Sequence, residues 1–238
     1  MARLLALALL VAGCSQPLPS TPDAGTDAPG TATDAGWTSL FDGETLDGWR
    51  GYNRADAPSG WRVEDGAIHF APGGEGGDLI TDAVYDDFEL ELEWKVAACG
   101  NSGILYTIEE SPALRATWHS GLEMQVLDDA CHSDARYPSH RAGALYDLYV
   151  TESEAVRASG EWNRARVVVD DGRIEHWLNG QRVVAAQQGS PDWAARVAAS
   201  KFRNPETFPG FGTRTRGHIG VQDHGDAVWF RNLRIRRL

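Results

Sequence analysis

Nine consecutive residues, Phe88-Glu89-Leu90-Glu91-Leu92-Glu93-Trp94-Lys95-Val96, alternate apolar and charged without a break. A period of two is that of a β-strand and does not fit the 3.6-residue period of a helix. Such a strand sets one face in a core and the other in water, so the chain must build a sheet with a second layer packed on it. Leu122 to Leu127 repeats the pattern, with Leu122, Met124 and Val126 on one side and Glu123 and Gln125 on the other. Ala165 to Val169 and Ile174 to Leu178 flank the turn signal Asp170-Asp171-Gly172. Asn179-Gly180, between Leu178 and Val183, accepts positive φ and reads as a hairpin. Val228 to Ile235 reads as a closing strand. One helix is expected, near 191 to 201. Ser190 can cap it, Pro191 suits its first position and Asp192 its positive end, while Trp193, Ala194, Val197 and Ala198 form one apolar stripe. Many short strands, with 26 Gly and 11 Pro to turn them, predict a single all-β sandwich or jelly roll.

The N-terminus carries a different signal. Arg3 is followed by the apolar run Leu4 to Ala12, which is too short to span a bilayer. The run ends Leu10-Val11-Ala12-Gly13-Cys14, which resembles a bacterial lipobox. That resemblance implies cleavage before Cys14 and lipidation of its thiol; the alternative is an ordinary signal peptide with an incidental Cys14. Ser15 is not the Asp that holds lipoproteins at the inner membrane, so the outer membrane is expected, facing periplasm or cell surface. Residues 15 to 36 contain one Leu and no aromatic, and read as a disordered tether. The folded domain therefore spans 37–238. In an exported chain Cys99 and Cys131 can form a disulfide. Cys131-His132 as half a metal site is the lesser alternative, because no CxxC accompanies it. The net charge of -12 argues against nucleic-acid partners.

Motifs spread along the chain carry a family resemblance. Trp37-Thr38-Ser39-Leu40-Phe41-Asp42-Gly43 leads to Leu46-Asp47-Gly48-Trp49 and, later, to Gly100-Asn101-Ser102-Gly103-Ile104. Glu123-Met124-Gln125-Val126-Leu127-Asp128 and Ala142-Gly143-Ala144-Leu145-Tyr146-Asp147 follow. Ser200-Lys201-Phe202 and Gly220-Val221-Gln222-Asp223-His224-Gly225 come near the end. In this order they resemble the 3-keto-disaccharide hydrolase domain over residues 37–238. The resemblance implies a concanavalin-like jelly-roll β-sandwich of two antiparallel sheets. It also implies cleavage of glycosides whose ring carries a 3-keto group, by hydrolases or related lyases. A partner oxidoreductase would then supply the keto sugar. Cys99 departs from the pattern, which has Gly or another small residue there.

A 3-keto group acidifies the hydrogen on the carbon between the ketone and the anomeric carbon. Removing it yields an enolate, the glycosidic oxygen leaves from the β position, and water adds to the enone. The route needs a base, a group for the enolate oxygen and an acid for the leaving group, not two carboxylates at a set separation. Glu123 is the first candidate for the base, against a plain solvated sheet face. His224 and His132 are the further catalytic candidates, since histidine changes charge near neutral pH; a structural turn histidine is the alternative for His224. Asp128 with His132 four residues on can hold a divalent metal ion, against a loop-cap role for Asp128. Asn101, Gln125, Arg141, Tyr146, His176, Lys201 and Gln222 are candidate substrate contacts. The alternatives are a turn role for Asn101, helix closure for Lys201 and a buried structural role for His176. A non-catalytic carbohydrate-binding or adhesion module is the rival to an enzyme, and would need no base.

Overall fold

The computed structural model describes residues 36 to 238 except Ser153, so the leader, Cys14 and the body of the tether lie outside the described residues. The strands are β1 (Trp37–Ser39), β2 (Trp49–Gly51), β3 (Trp61–Glu64), β4 (Ala67–Phe70), β5 (Leu79–Tyr85), β6 (Phe88–Val96) and β7 (Asn101–Ile108). They continue with β8 (Leu122–Leu127), β9 (Asn163–Asp170), β10 (Arg173–Leu178), β11 (Gln181–Gln187), β12 (Gly217–Val221) and β13 (Val228–Arg237). The helix α1 runs Pro191–Ala199, with the Ser190 hydroxyl accepting from the Trp193 N–H.

The strands form two antiparallel sheets packed as a jelly-roll sandwich. The larger has the order β11-β10-β9-β6-β13-β4-β3, with β1 added on β13; the smaller is β2-β5-β12-β7-β8. Alternation along β6 sets Phe88, Leu90, Leu92, Trp94 and Val96 inward, against Ile104 and Tyr106 of β7 and Leu122, Met124 and Val126 of β8. Each such fully buried side chain contributes about 1.5–3 kcal/mol, so this shared layer holds the sheets together.

The outward side chains of β6 meet arginines instead. Glu89 pairs with Arg166 and Arg236, Glu91 with Arg164 at 2.8 Å and Arg234 at 2.7 Å, and Glu93 with Arg231 at 2.6 Å. Glu89 is buried, and its ion pairs offset the cost of burying that charge; the more exposed pairs of Glu91 and Glu93 contribute about 0–1 kcal/mol each.

The outer face of the smaller sheet is covered. Ile80, Leu105 and Ile108 form a second apolar cluster beneath Tyr52 and Trp118. Trp118 of the short helical turn Thr117–His119 packs on that face, and the segment 143–146 pairs along the edge of β8.

Candidate active site

β8 presents Glu123 and Gln125 on this outer face, beside Asn101 and Gly103 of β7, which register opposite Leu127 and Gln125. A Cβ on Gly103 would collide with the Glu123 carboxylate, so the glycine makes the space that carboxylate occupies. The free edge of β8 is closed by residues 143 to 146. Gly143 N–H donates to Gln125 O at 2.8 Å, Gln125 N–H to Ala144 O at 3.1 Å, and Tyr146 N–H to Glu123 O at 3.0 Å. Tyr146 thereby stands next to Glu123. The adjoining Asp147 takes φ 59°, and its carboxylate accepts from the Lys201 N–H at 2.7 Å and meets His140 Nε2 at 3.2 Å. One turn thus places both Tyr146 and Lys201.

The loop after β12 supplies Gln222 and His224. Gly77 N–H donates to Asp223 Oδ2 at 2.8 Å, and Asp223 N–H donates to Asp78 Oδ1 at 2.9 Å. These bonds strap the loop to the start of β5. Together the elements enclose a cavity of about 170 Å³. Glu123, Tyr146, Lys201 and Trp118 line it, as do Asn101, Gln125, Gln222 and His224.

Burial dominates the electrostatics. It pushes Glu123 up to about 8; Lys201 opposes the shift, and the charges of Asp78 and Asp134 add to it. No cation bonds the Glu123 carboxylate among the described residues. Burial, with Glu123 and Asp134 nearby, holds the Tyr146 phenol well above its ordinary value, so it stays a proton donor. Asp78 is raised to about 6 by burial, against the Thr117 hydroxyl and the Asp223 N–H that stabilise its charged form. The Lys201 ammonium lies 4.2 Å from the Tyr146 ring centroid and 5.0 Å from that of Trp118. Its pKa is lowered by burial, against the charges of Glu123, Asp147 and Asp134.

An amide chain crosses the cavity floor. Gln125 Nε2 donates to Asn101 Oδ1 at 3.3 Å, and Asn101 Nδ2 lies 3.4 Å from His224 Nε2. Gln125 Oε1 is buried with no hydrogen-bond partner among the described residues. A buried carbonyl oxygen without a donor is unfavourable, so this atom is set to receive a ligand hydroxyl.

Glu123, Asn101, Gln125, Tyr146, Lys201, Gln222 and His224 therefore meet in one cavity. His132 borders it, its ring centroid 6.2 Å from that of His224. Three expectations from the sequence are corrected. His176 is fully buried between the sheets, with Nδ1 3.0 Å from Gly143 O and Nε2 2.8 Å from the Tyr106 hydroxyl. Burial lowers its pKa to about 4, and it does not reach the cavity. Arg141 donates through Nε to Ala135 O and faces a separate hollow of about 610 Å³ beside Asp129 and Arg157. Asp128 is the loop cap: its oxygens accept from the N–H groups of Cys99 at 2.8 Å and Ala130 at 3.2 Å, so it does not form a metal pair with His132.

The group of potential metal ligands found among the described residues is instead His132, His224 and Asp226, with one ligand atom from each within 4.8 Å of the others. The Asp134 N–H donates to His132 Nδ1 at 3.1 Å. In neutral His132 the ring proton is then on Nε2, which makes that nitrogen a hydrogen-bond donor rather than a metal ligand.

Cys99 and Cys131 are joined in a disulfide, with Cα atoms 4.7 Å apart. Cys99 has φ 57°, a left-handed conformation that glycine adopts without strain. Two residues of the site were not singled out from the sequence. Trp118 roofs the cavity, and its only signal was an aromatic in a polar connection. Asp226 accepts from the Asn101 N–H at 3.0 Å and carried no signal of its own.

Comparison with known proteins gives concordant results. The 3-keto-alpha-glucoside-1,2-lyase-like domain matches residues 36–236. A 3-keto-disaccharide hydrolase of Bacteroides thetaiotaomicron is 37% identical over 228 residues, covering 85% of this chain and 79% of the relative. A crystal structure of a candidate glycosyl hydrolase from Parabacteroides distasonis superposes with a TM-score of 0.79 at 37% identity, covering 86% of this chain and 94% of the other. A second from the same organism has a TM-score of 0.66 at 27% identity, covering 85% and 99%.

Proposed function

The chain belongs to the 3-keto-alpha-glucoside-1,2-lyase-like family, and from that premise we propose that its cavity cleaves 3-keto-glycosides by removing the proton beside the ketone. The coarser part of this reading, a carbohydrate-cleaving hydrolase, has the support of the relatives. The observation that carries the finer part is Glu123, a buried carboxylate raised to about 8 in a cavity of about 170 Å³. A base that strong is matched to a carbon acid near neutral pH, whereas an ordinary carboxylate is too weak.

The other groups take complementary roles. The Tyr146 phenol and the Lys201 ammonium favour the enolate oxygen, because both bring positive character to the place where negative charge develops. The imidazoles of His132 and His224 give a proton to the departing glycosidic oxygen. Gln125 Oε1 accepts a sugar hydroxyl. Water then adds to the anomeric carbon of the enone, completing a net hydrolysis. A chelator titration tests the cation alternative at His132, His224 and Asp226: an unchanged rate assigns ketone polarisation to Tyr146 and Lys201.

The leader and Cys14 support a lipid anchor in the cell envelope, with residues 15–36 as the tether and a partner oxidoreductase supplying the keto sugar. Palmitate labelling lost in Cys14→Ala tests the anchor. The activity is tested with matched 3-keto and unoxidised glycosides in deuterated water. Cleavage of the keto compound alone, with deuterium on the carbon adjacent to the ketone, is the expected result. Rapid cleavage of ordinary glucosides, or an unlabelled product, refutes the mechanism. Glycan binding without turnover, untouched by Glu123→Gln, means a binding module instead.

A further inference from the structure

Of the chain's 22 basic residues, only Lys95 and Lys201 are lysines. Every other position that needs a cation uses arginine, including all the partners of Glu89, Glu91 and Glu93. Arginine fixes carboxylates better, but it does not lose its proton under these conditions and is a poor nucleophile. Lys95 lies on the outside of the larger sheet, over the rings of Trp162 and Trp229. Lys201 lies at the cavity, and among the described residues its ammonium has no hydrogen-bond or ion-pair partner.

The surroundings of Lys201 suit a reactive amine. Solvent reaches the side chain, yet Nζ stands within 5.0 Å of the centroids of Trp118, Tyr146 and Phe202. Its backbone is pinned by the Asp147 carboxylate, so the amine is aimed from a fixed point. The charged groups facing it are Glu123, Asp147 and Asp134, and burial outweighs them in lowering its pKa. The exposure of the side chain limits that effect, but any lowering of its pKa raises the share of neutral amine able to attack a carbonyl. Glu123 lines the same cavity, where its protonated carboxyl can give a proton to a carbinolamine hydroxyl and the resulting carboxylate can then take the proton beside the ketone.

In place of the purely electrostatic role of its ammonium at an enolate oxygen, we propose that Lys201 forms a covalent iminium with the ketone of the substrate. The inference rests on the reading of the substrate as a 3-keto sugar. The Nζ lone pair adds to the carbonyl carbon, the carbonyl oxygen takes up protons and leaves as water, and a carbon–nitrogen double bond replaces the carbon–oxygen one. The ammonium and ketone together thus yield iminium and water, with no oxidant or reductant. The iminium is a stronger electron sink than the ketone. Removal of the neighbouring carbon's proton gives an enamine, which expels the glycosidic oxygen with a proton. Water then adds at the anomeric carbon, and a second water hydrolyses the imine to release the keto sugar and free Lys201.

The scarcity of lysine makes the test clean. The purified protein is incubated with a 3-keto-glucoside, reduced with borohydride and mapped by mass, with cleavage followed in a parallel sample. The expected result is one sugar adduct per chain, on Lys201, present in Lys95→Arg and absent in Lys201→Arg. Cleavage of the keto-glycoside without an adduct overturns the iminium and leaves the substrate reading intact. Equal labelling of Lys95 and Lys201 also overturns it, because that is non-specific glycation. Absence of both cleavage and adduct overturns the substrate reading and the iminium together. Circular dichroism of Lys201→Arg, which keeps the charge, separates loss of the amine from loss of fold.

Discussion

Both sheets point glutamates outward from alternating strands, and the two faces treat them in opposite ways. On β6, burial alone would raise Glu91, but Arg234 and Arg164 more than offset it and its pKa falls. On β8, burial raises Glu123 to about 8 and no cation bonds it. The local sequences, Leu90-Glu91-Leu92 and Leu122-Glu123-Met124, are alike. What differs is the cover. Arginines reach over β6 from its neighbours β9 and β13, whereas β8 is roofed by Trp118 and Tyr146. A strand pattern sets the direction of a carboxylate; distant segments set whether it is a salt-bridge partner or a base.

Changes at equivalent places on the two faces sharpen that contrast. Glu123→Gln should lower keto-glycoside cleavage by about 10²–10⁴-fold, while Glu91→Gln leaves kcat/KM unchanged. Equal losses in both variants would mean that the β8 face is not the site. Gly103→Ala should cut activity by at least about tenfold, because the new methyl fills the space of the Glu123 carboxylate. Its circular dichroism should stay native, and a fully active Gly103→Ala would refute this packing argument.

pH separates the faces next. If ionised Glu123 is the base, kcat/KM should rise with pH and level off above about 8. The stability effect has the opposite sense. A carboxyl raised in the folded state favours folding by keeping its proton, so its burden is absent below the unfolded value of 4.5. The burden grows between 4.5 and about 8 and is constant above. Each tenfold difference in proton affinity between the folded and unfolded chain corresponds to about 1.4 kcal/mol. Glu123→Gln should therefore be more thermostable than wild type at pH 8 and closer to it at pH 5. A gap that does not widen with pH would contradict the assigned burial.

Smaller effects follow. Cys99→Ser with Cys131→Ser should lower stability by about 2–4 kcal/mol in denaturant melts, since the bridge spans 32 residues. Glu91→Gln should lower stability by less than about 1 kcal/mol, with most of that loss abolished by 1 M salt.

The fold was legible in the sequence because its evidence is local. The alternation of β6, the Asn179-Gly180 hairpin and the Ser190-Pro191 helix start each report on neighbours within a few residues. Most cavity residues could be found through motif resemblance, yet their chemistry could not. Glu123 reads as solvated unless the roof is known, and that roof arrives from Trp118 and from residues 143 to 146. His176 is a different case. Its parity with Ile174 and Leu178 already offered a buried structural role, and that alternative holds: it faces the inter-sheet layer, where Gly143 and Tyr106 satisfy it. Asp128 looked like a ligand because sequence does not show that the Cys99 and Ala130 N–H groups already occupy it.

The bonds that residues 143 to 146 make along β8 have an effect on solubility. β8 is the last strand of its sheet. Unpaired, it would present the donors and acceptors of a short apolar strand to any neighbouring molecule. Such edges recruit other strands and seed aggregates. The Gly143, Gln125 and Tyr146 hydrogen bonds use up those groups within one chain. Loosening this segment to admit a bulkier glycoside would therefore uncover a sticky edge, and engineered variants with a wider cavity should be screened for self-association before they are screened for activity.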